Sequence, residues 1–296
     1  MKFRHSKVGN FIGDGIILLS FSELIGNTTV SKKSPLVFGP TYDHNYFTPI
    51  HSIENRHFWF QARNRVIAAL IKKITKDLPA GYRTLEIGCG TGNVLKVIQD
   101  NSVNGKVMGI DLYRDGLKYA RERVSCPLIQ ADLYHLPFQT KFELIGMFDV
   151  LEHLPDDQAV LKLIINLLSS SGYLFLTVPA YPQFWSYFDV ASHHERRYLL
   201  GTIKQELINA GFLIEYITYY MTPIYPLIWF TRHISTVTSG NRNNHDLVHD
   251  LTMKELRVIP VINNLLLWLL TQEVRLLTHN AHLPFGTSIL ALARKL

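Results

Sequence analysis

Cysteine is scarce in this chain: Cys89 and Cys126 are the only two in 296 residues. Two cysteines cannot build a disulfide framework, and Cys89 lies inside a glycine-rich turn where a bridge would be difficult to close. The pattern therefore excludes a small disulfide-stabilised scaffold. It favours a reducing, cytoplasmic environment.

Long hydrophobic runs are also missing. The strongest apolar stretch, residues 265–270, ends close to Asn264 and Gln272, whereas a membrane-spanning helix needs about 18 apolar residues or more. Near the amino terminus, Asp14 and Glu23 flank a short apolar stretch that has no small-residue cleavage site after it, so we expect no signal peptide. The sequence predicts no transmembrane segment and is compatible with peripheral contact to a membrane.

Blocks of like charge are absent as well. The formal net charge of +6 and the isoelectric point near 9.2 favour an anionic partner, which could be nucleic acid, a membrane surface or an acidic substrate. The basic residues are scattered, and the densest spots are pairs such as Lys72-Lys73 and Arg196-Arg197. This distribution disfavours nucleic acid as the partner.

The composition itself is that of a folded domain, with 47% hydrophobic and 18% charged residues. Residues 1–45 show no clear periodicity and contain turn-forming pairs, so they are predicted to be an N-terminal extension. Residues 46–296 are predicted to form the main domain, beginning with a helix over residues 51–76 whose apolar side chains recur at helical spacing.

Short apolar runs alternate with helical segments between residues 83 and 178, which predicts an α/β fold with a parallel sheet and right-handed crossovers. The alternating run 212–220 and a last run, 287–293, predict further strands. The segments at about 180–200 and 221–283 interrupt the alternation. They are predicted to be helical lid insertions that cover an active cleft.

A glycine-rich turn carries the first functional signal. Gly88, Gly90 and Gly92 follow a predicted strand and open a helix, the position where open α/β sheets bind ligands. A dinucleotide fingerprint, G-x-G-x-x-G, would need glycine at position 93, which is Asn93. With Glu86 just upstream, the turn suits the ammonium and carboxylate of a methionine better than a pyrophosphate.

Acidic residues end the next two predicted strands. Asp111 lies where a carboxylate can bind both hydroxyls of an adenosine ribose, although for Asp111 taken alone a helix cap is the favoured interpretation. Asp132, followed by Leu133, lies where a carboxylate can meet the adenine amino group. Together with the glycine turn, these residues favour S-adenosylmethionine (SAM) as the cofactor.

Four segments carry a family resemblance: LEIGCGTGNVL at 85–95, GIDLYRDGLKYAR at 109–121, QADLYHLPF at 130–138 and FDVLEHLPDD at 148–157. They resemble the successive motifs of class I SAM-dependent methyltransferases, in particular the branch that includes ubiquinone-biosynthesis O-methyltransferases. The similarity covers about residues 54–200. It implies a Rossmann-like sheet of seven strands with the last one antiparallel.

The resemblance also implies a set of cofactor-binding residues. Arg63 follows the aromatic run His57-Phe58-Trp59-Phe60, which is similar to a helix that covers the cofactor in one bacterial subgroup, and Arg63 could pair with the cofactor's carboxylate. The aromatic residues could equally belong to the core. The implied cofactor-binding residues are Arg63, Glu86, Gly88, Cys89, Gly90, Gly92, Asp111, Leu112, Asp132, Leu133 and Phe148.

The candidate catalytic residues are Asp149, His153 and His194. Methyl transfer from a sulfonium is a single displacement, so the enzyme must chiefly align the donor with the nucleophile and exclude water. A base is needed only for a poorly ionised nucleophile, and His153 could serve because histidine accepts protons near neutral pH. The alternative is that His153 only orients its loop.

The same loop also contains a candidate metal site. A similar E-x-x-E-H run is associated with a divalent metal in ubiquinone-type enzymes and in small-RNA end methyltransferases, and here Asp149 replaces the first glutamate. If the segment were helical, Asp149, Glu152 and His153 would share a face. Because no fourth ligand can be placed, we expect no metal.

The acceptor is predicted to be a small or lipid-like metabolite, partly hydrophobic and partly anionic. Histidines and arginines at 193–197 could bind a carboxylate or phosphate, and Trp229 and Trp268 lie in the apolar lid. The main hypothesis is an enzyme that methylates such a metabolite, with oxygen favoured over nitrogen or carbon as the methylated atom. The alternatives are an RNA methyltransferase, a non-catalytic SAM-binding subunit and, less favoured, a dehydrogenase.

Overall fold

A computed structural model describes residues 16–18, 46–136, 138–235, 252, 254 and 256–296. Within these residues one sheet of eight strands runs in the order β1-β4-β3-β2-β5-β6-β8-β7. The strands are β1 (Ile16–Leu18), β2 (Arg83–Ile87), β3 (Lys106–Asp111), β4 (Leu128–Gln130), β5 (Phe142–Phe148), β6 (Leu168–Pro179), β7 (Phe212–Tyr220) and β8 (Ser288–Lys295).

Helices lie between the strands and along the carboxyl-terminal part of the chain. They are α1 (Phe47–Ile53), α2 (Phe58–Thr75), α3 (Asn93–Asn101), α4 (Arg114–Arg123), α5 (Asp157–Leu167), α6 (Tyr187–Ala191), α7 (Leu200–Asn209), α8 (Tyr225–Ser235) and α9 (Pro260–Thr278). Short 3-10 turns occur at Leu133–His135, Leu151–His153, Pro182–Phe184 and Thr222–Ile224.

The pairing of strands β2 to β8 confirms the predicted seven-stranded sheet. Strands β4, β3, β2, β5 and β6 pair in parallel, and β8 lies antiparallel between β6 and β7. An eighth strand, β1, adds a parallel edge beside β4, so three residues of the predicted extension belong to the sheet. Residues 1–15 and 19–45 lie outside the described residues.

Both faces of the sheet are covered by helices, which is why its central strands are almost continuously apolar. On one face Leu70 of α2, Leu95 of α3 and Leu117 of α4 share a core. On the other face Leu161 of α5 and Ile203 of α7 are fully buried. This two-faced covering leaves only the strand ends open to a ligand.

The single helix predicted over residues 51–76 is wrong: the structure has two helices, α1 and α2. The chain turns at residues 54–57, and His57 caps α2 by accepting a hydrogen bond at Nδ1 from the backbone N–H of Trp59, at 3.3 Å. The break places Glu54 in the interior, where it is 3% exposed and accepts hydrogen bonds from Thr91 (2.7 Å) and Arg123. Periodicity alone does not show such a turn.

The long helix α9 packs along α2. The Asn263 side chain accepts a hydrogen bond from the N–H of Phe58 at 2.7 Å and donates one to the carbonyl of Arg56 at 3.0 Å. The parts of the predicted lid at 236–251, 253 and 255 lie outside the described residues, and the lid role of α8 and α9 stays a prediction. In the described part of the chain, every helix is too short or too polar to cross a membrane.

Candidate active site

One cavity of about 630 Å³ opens at the carboxyl ends of strands β2, β3 and β5. This is where open α/β sheets bind their ligands. It gathers every site residue predicted from the sequence except Gly92. Those lining residues are Arg63, Glu86, Gly88, Cys89, Gly90, Asp111, Leu112, Asp132, Leu133, Phe148, Asp149, His153 and His194.

The glycines of this turn are required for different physical reasons. Gly88, Gly90 and Gly92 all have positive φ angles, at 70°, 50° and 77°. A Cβ on Gly90 would meet only the Phe47 ring, at 3.9 Å, so this glycine leaves space at the cavity. A Cβ on Gly92 would lie 2.8 Å from the backbone of Ala120, so Gly92 permits the turn to pack on α4 rather than lining the cavity.

Asp111 braces the turn from the end of β3. Its carboxylate accepts hydrogen bonds from the N–H of Gly90 at 2.7 Å and of Tyr113 at 2.8 Å. Burial raises the pKa of Asp111 to about 6, against the opposing effect of these hydrogen bonds. The helix-cap alternative does not hold, because Tyr113 is the N-cap residue of α4.

Glu86 is a buried carboxyl on the floor of the cavity. It is 2% exposed, and its Oε2 accepts no hydrogen bond from the described residues. Burial raises its pKa well above the ordinary value, although the charge of Arg63 lowers it. A buried polar atom without a partner is costly, so this site suits a ligand that brings its own donor, such as an ammonium group.

Arg63 binds Asp149 in this structure, at 2.8 Å from Nη1 to Oδ2. The guanidinium also lies over the Trp59 ring, 4.9 Å from its centroid, and Thr177 donates to the other oxygen of Asp149 at 3.1 Å. The sequence instead suggested a bond from Arg63 to a cofactor carboxylate. That bond stays a prediction, and the observed partner is Asp149.

The predicted face of Asp149, Glu152 and His153 does not form. Asp149 has φ of 54° and precedes a 3-10 turn that contains the other two residues, so the segment is not the α-helix that a shared face requires. Glu152 and His153 instead approach His194. One ligand atom from each of these three residues lies within 4.8 Å of the others, a set that could hold a divalent cation.

His194 is oriented by a buried carboxylate that the sequence reading missed. Its Nδ1 lies 2.9 Å from Oδ1 of Asp189, and Arg197 holds both oxygens of Asp189 at 2.6 and 3.0 Å. Burial alone would raise the pKa of Asp189, but the bonds from His194 and Arg197 outweigh it and lower the pKa to about 2. The Ser186-x-x-Asp189 capping box was the available sequence signal.

His194 therefore presents its other nitrogen to the cavity. An ionised Asp189 accepts the Nδ1 proton, which leaves Nε2 as the acceptor atom of the ring. Nε2 lies 4.0 Å from Oε1 of Glu152, and the His153 and His194 rings meet edge to face with their centroids 4.7 Å apart. Burial raises the pKa of Glu152 well above its ordinary value.

The neighbouring charged residues divide between cavity and surface. Arg197 lines the cavity, whereas Arg196 turns away and donates hydrogen bonds to the carbonyls of Leu154 and Pro155 at 2.9 and 2.8 Å. Asp132 accepts a hydrogen bond from the N–H of Tyr134 at 2.9 Å and pairs with His135 at 3.0 Å. Asp132 and Leu133 both line the cavity, and their contact with adenine stays a prediction.

The cavity wall beyond His153 and His194 is apolar apart from the guanidinium of Arg232. Arg232 of α8 lies over the Tyr187 ring, 5.2 Å from its centroid, and also lines the cavity. The apolar lining residues on this side are Phe188, Ile224, Ile228 and Leu256. No sequence motif pointed to Arg232, because it lies within an apolar helix that is far along the chain from the glycine turn.

A mostly parallel sheet, with a glycine turn after β2 and a carboxylate at or just after the ends of β2, β3, β4 and β5, defines a Rossmann-like cofactor-binding domain. The chain belongs to the methyltransferase-domain family, whose model matches residues 58–217, more than half of the chain. The resemblance to SAM-dependent methyltransferases that the sequence motifs indicated is thereby confirmed at the level of the family.

Relatives and solved structures agree with this assignment. The ubiquinone biosynthesis O-methyltransferase of Thiobacillus denitrificans is 27% identical over 136 residues, which cover 44% of this chain and 53% of that protein. The plantazolicin methyltransferase BpumL superposes with a TM-score of 0.54 at 12% identity, covering 85% of this chain and 90% of that one. The [4+2]-cyclase SpnF superposes with a TM-score of 0.52 at 20% identity, covering 81% and 83%.

These likenesses have clear limits. The chain spans little more than half the length of the curated relatives it matches. The structural neighbours share the fold at low identity, and one of them is named as a cyclase, so the fold alone does not define the reaction.

Proposed function

We propose that this protein transfers the methyl group of SAM to an oxygen of a small, partly apolar and partly anionic acceptor. The observation that carries the proposal is that one cavity joins the glycine turn to the His153–His194 pair and to the apolar wall of α8. A cofactor and an acceptor can therefore meet in one cavity. Binding both in one cavity aligns the reactants, which is most of what methyl transfer requires.

The residues of the turn side are assigned to the cofactor. Glu86 would accept a hydrogen bond from the amino group of the methionine part, Asp111 would bind the ribose hydroxyls, and Asp132 with Leu133 would bind the adenine. The unpartnered oxygen of Glu86 and the open space at Gly90 support this fit. When bound, SAM supplies an electrophilic methyl group on a positively charged sulfur.

His194 is assigned as the general base, with Asp189 as its positioning residue. The Asp189 carboxylate fixes the ring through Nδ1, so Nε2 can take the proton of an acceptor hydroxyl as that oxygen attacks. Arg197 keeps Asp189 ionised and in place. The sequence favoured His153 as the base. The buried carboxylate that orients a histidine ring, Asp189, instead contacts His194.

The acceptor class follows from the wall opposite the glycine turn. Phe188, Ile228 and Leu256 offer apolar contact, and Arg232 offers a guanidinium for a carboxylate or phosphate. The names of the ubiquinone-biosynthesis relatives, which methylate oxygen, support oxygen as the methylated atom.

Substitution of His194 tests the base. We expect His194→Ala to lower kcat by roughly a hundredfold or more while the SAM dissociation constant changes little, because general bases contribute about 10² to 10⁴ in rate. Asp189→Asn should lower kcat and shift the acid limb of the pH–rate profile, which a merely structural change would not do. His279→Ala, an exposed histidine outside the cavity, is the matched control.

Two results would contradict this assignment. Full activity of His194→Ala with loss in His153→Ala would move the base to His153. Inactivation of the unsubstituted enzyme by a chelator, with recovery on adding Mg²⁺ or Mn²⁺, would assign Glu152, His153 and His194 to a cation instead of to proton transfer.

A further inference from the structure

The segment that leads into β8 brings a threonine to the cavity. Because β8 runs antiparallel to β6, the first residues of β8 lie beside the last residues of β6, at the carboxyl ends of the parallel strands. Thr287 and Ser288 both line the cavity there. Neither was among the site residues predicted from the sequence, since their segment carries none of the motifs.

The hydroxyl of Thr287 is buried without a partner. Thr287 is 8% exposed, and its Oγ1 makes no hydrogen bond to any of the described residues. Such atoms are rare in folded proteins, because a buried polar atom has lost its hydrogen bonds to water. Glu86 shares this condition, and the proposed function gives it the ammonium group of the cofactor as a partner. Thr287 has no partner assigned to it so far.

The order of the strands places Thr287 away from the cofactor residues. Strands β5 and β6 lie between β2, which precedes the glycine turn, and β8. Since neighbouring strands are about 4.8 Å apart, the start of β8 is roughly 14 Å across the sheet from the end of β2. The residues assigned to the cofactor follow β2, β3 and β4, on the far side of β5. Thr287 therefore lies in the acceptor half of the cavity.

Hydrogen bonds connect Thr287 to the residues that orient the base. The N–H of Ala180 donates to the carbonyl of Thr287 at 3.0 Å, and Arg197 donates from Nη1 to the carbonyl of Ala180 at 3.2 Å. Arg197 also binds Asp189, which orients His194. The backbone of Thr287 is thus fixed relative to His194.

The residues before Thr287 hold it in the same place. A Cβ on Gly286 would lie 2.1 Å from the carbonyl oxygen of Tyr220, so glycine is needed for the two backbones to lie this close. Thr222 donates from its hydroxyl to the carbonyl of Phe285 at 2.8 Å. A polar group on a backbone that is fixed in this way is suited to orient a ligand.

We propose that Thr287 determines which acceptor this enzyme takes, by forming a hydrogen bond from its hydroxyl to a neutral polar group of the acceptor, such as a hydroxyl or a carbonyl. This inference rests on the proposed function. The acceptor then carries this group in addition to its apolar part and its anionic group. Analogues that lack the group are rejected, because they leave the buried hydroxyl unpartnered.

The protein without ligands gives the first test. Thr287→Val removes an unpartnered hydroxyl and keeps the shape of the side chain, so the melting temperature should stay unchanged or rise. Thr218→Val is the matched comparison, because Thr218 is also buried and its Oγ1 accepts a hydrogen bond from the N–H of Leu283 at 2.7 Å. Thr218→Val should lower the melting temperature by a few degrees. Equal losses in both variants contradict the proposal, since Thr287 would then have a partner within the protein.

The second test uses the small-molecule fraction of a cell extract and SAM labelled in its methyl group. For Thr287→Val, the amount of extract that gives half-maximal labelling should rise roughly tenfold or more, while the SAM dissociation constant stays unchanged. Thr287→Ser should restore the original amount, because it keeps the hydroxyl. Thr202→Val, at an exposed threonine of α7 outside the cavity, is the control.

The outcomes separate this inference from the proposed function. Labelling by the unsubstituted protein, with the same half-maximal amount of extract for Thr287→Val, contradicts the role of Thr287 alone. So does an equal loss in Thr287→Val and Thr287→Ser, which would show that the hydroxyl is not what matters. No labelling by the unsubstituted protein contradicts the proposed function and the role of Thr287 together.

Discussion

Single residues determine the shape of the glycine turn at the cofactor end of the cavity. Gly92 is an example in which two separate constraints require glycine. It combines a φ of 77° with a Cβ position 2.8 Å from Ala120, while Gly81 has a φ of 84° and nothing within 4 Å of its Cβ position. The two glycines thus separate backbone strain from steric overlap.

Replacing each glycine by alanine should therefore give unequal losses. Gly81→Ala should lower the free energy of unfolding by about 1 to 2 kcal/mol through backbone strain alone. Gly92→Ala should lower it by about 3 kcal/mol or more, because α4 must also move away. Urea unfolding of both variants measures the difference, and equal losses would contradict the packing role of Gly92.

Titration of Asp111 should make both the stability of the fold and the affinity for SAM depend on pH. Its folded pKa of about 6 lies above the ordinary value, so its stabilising contribution is present at low pH and is lost as the pH rises through about 6. SAM binding should change in the opposite direction, because the ribose hydroxyls need the ionised carboxylate. The affinity for SAM should fall roughly tenfold from pH 7 to pH 5.

Calorimetric titration with SAM across this pH range checks the prediction. Asp111→Asn should bind SAM weakly at pH 7 and lose the step near pH 6. An unchanged step in Asp111→Asn would show that another group titrates, and unchanged affinity at pH 7 would remove Asp111 from the cofactor site.

Among the elements, α1 is held beside the glycine turn by the buried ion pair of Glu54 and Arg123. Glu54, just after α1, accepts hydrogen bonds from Arg123 of α4 and from Thr91 of the turn, and Phe47 of α1 lines the cavity. The Glu54 and Arg123 side chains are 3% and 11% exposed. Removing one partner leaves the other charge buried.

Arg123→Ala should accordingly lower the free energy of unfolding by about 3 kcal/mol and weaken SAM binding. Lys118→Ala breaks the exposed pair with Asp115 on the same helix, where the Lys118 side chain is 58% exposed, and should cost less than about 1 kcal/mol. Chemical unfolding and calorimetry on both variants provide the comparison. Similar losses in the two would show that the Glu54 pair does not hold α1.

The elements also show what local sequence can and cannot predict. The glycine turn and the carboxylates at Asp111 and Asp132 could be read because each follows its own strand. The break before α2 could not be predicted in this way. It depends on the buried pair of Glu54 with Arg123, which is far away along the chain. The Asp189–His194 pair depends likewise on Arg197 and on burial that only the packed fold provides.

At the scale of the whole molecule, the alternation of strands and helices predicted the sheet, and its antiparallel last strand followed from the family resemblance. Strand β1 escaped prediction because three residues, Ile16–Leu18, carry no periodic signal. The lid assignment of α8 and α9 stays a prediction.

We have proposed that one cavity brings SAM and a partly apolar, partly anionic acceptor together. Incubation with SAM labelled in its methyl group and a cell extract, followed by mass spectrometry of the labelled product, tests this proposal. We expect label on an oxygen of a small amphiphilic metabolite, and its loss in His194→Ala. Label found only in RNA, or no label despite SAM binding, would contradict the proposal.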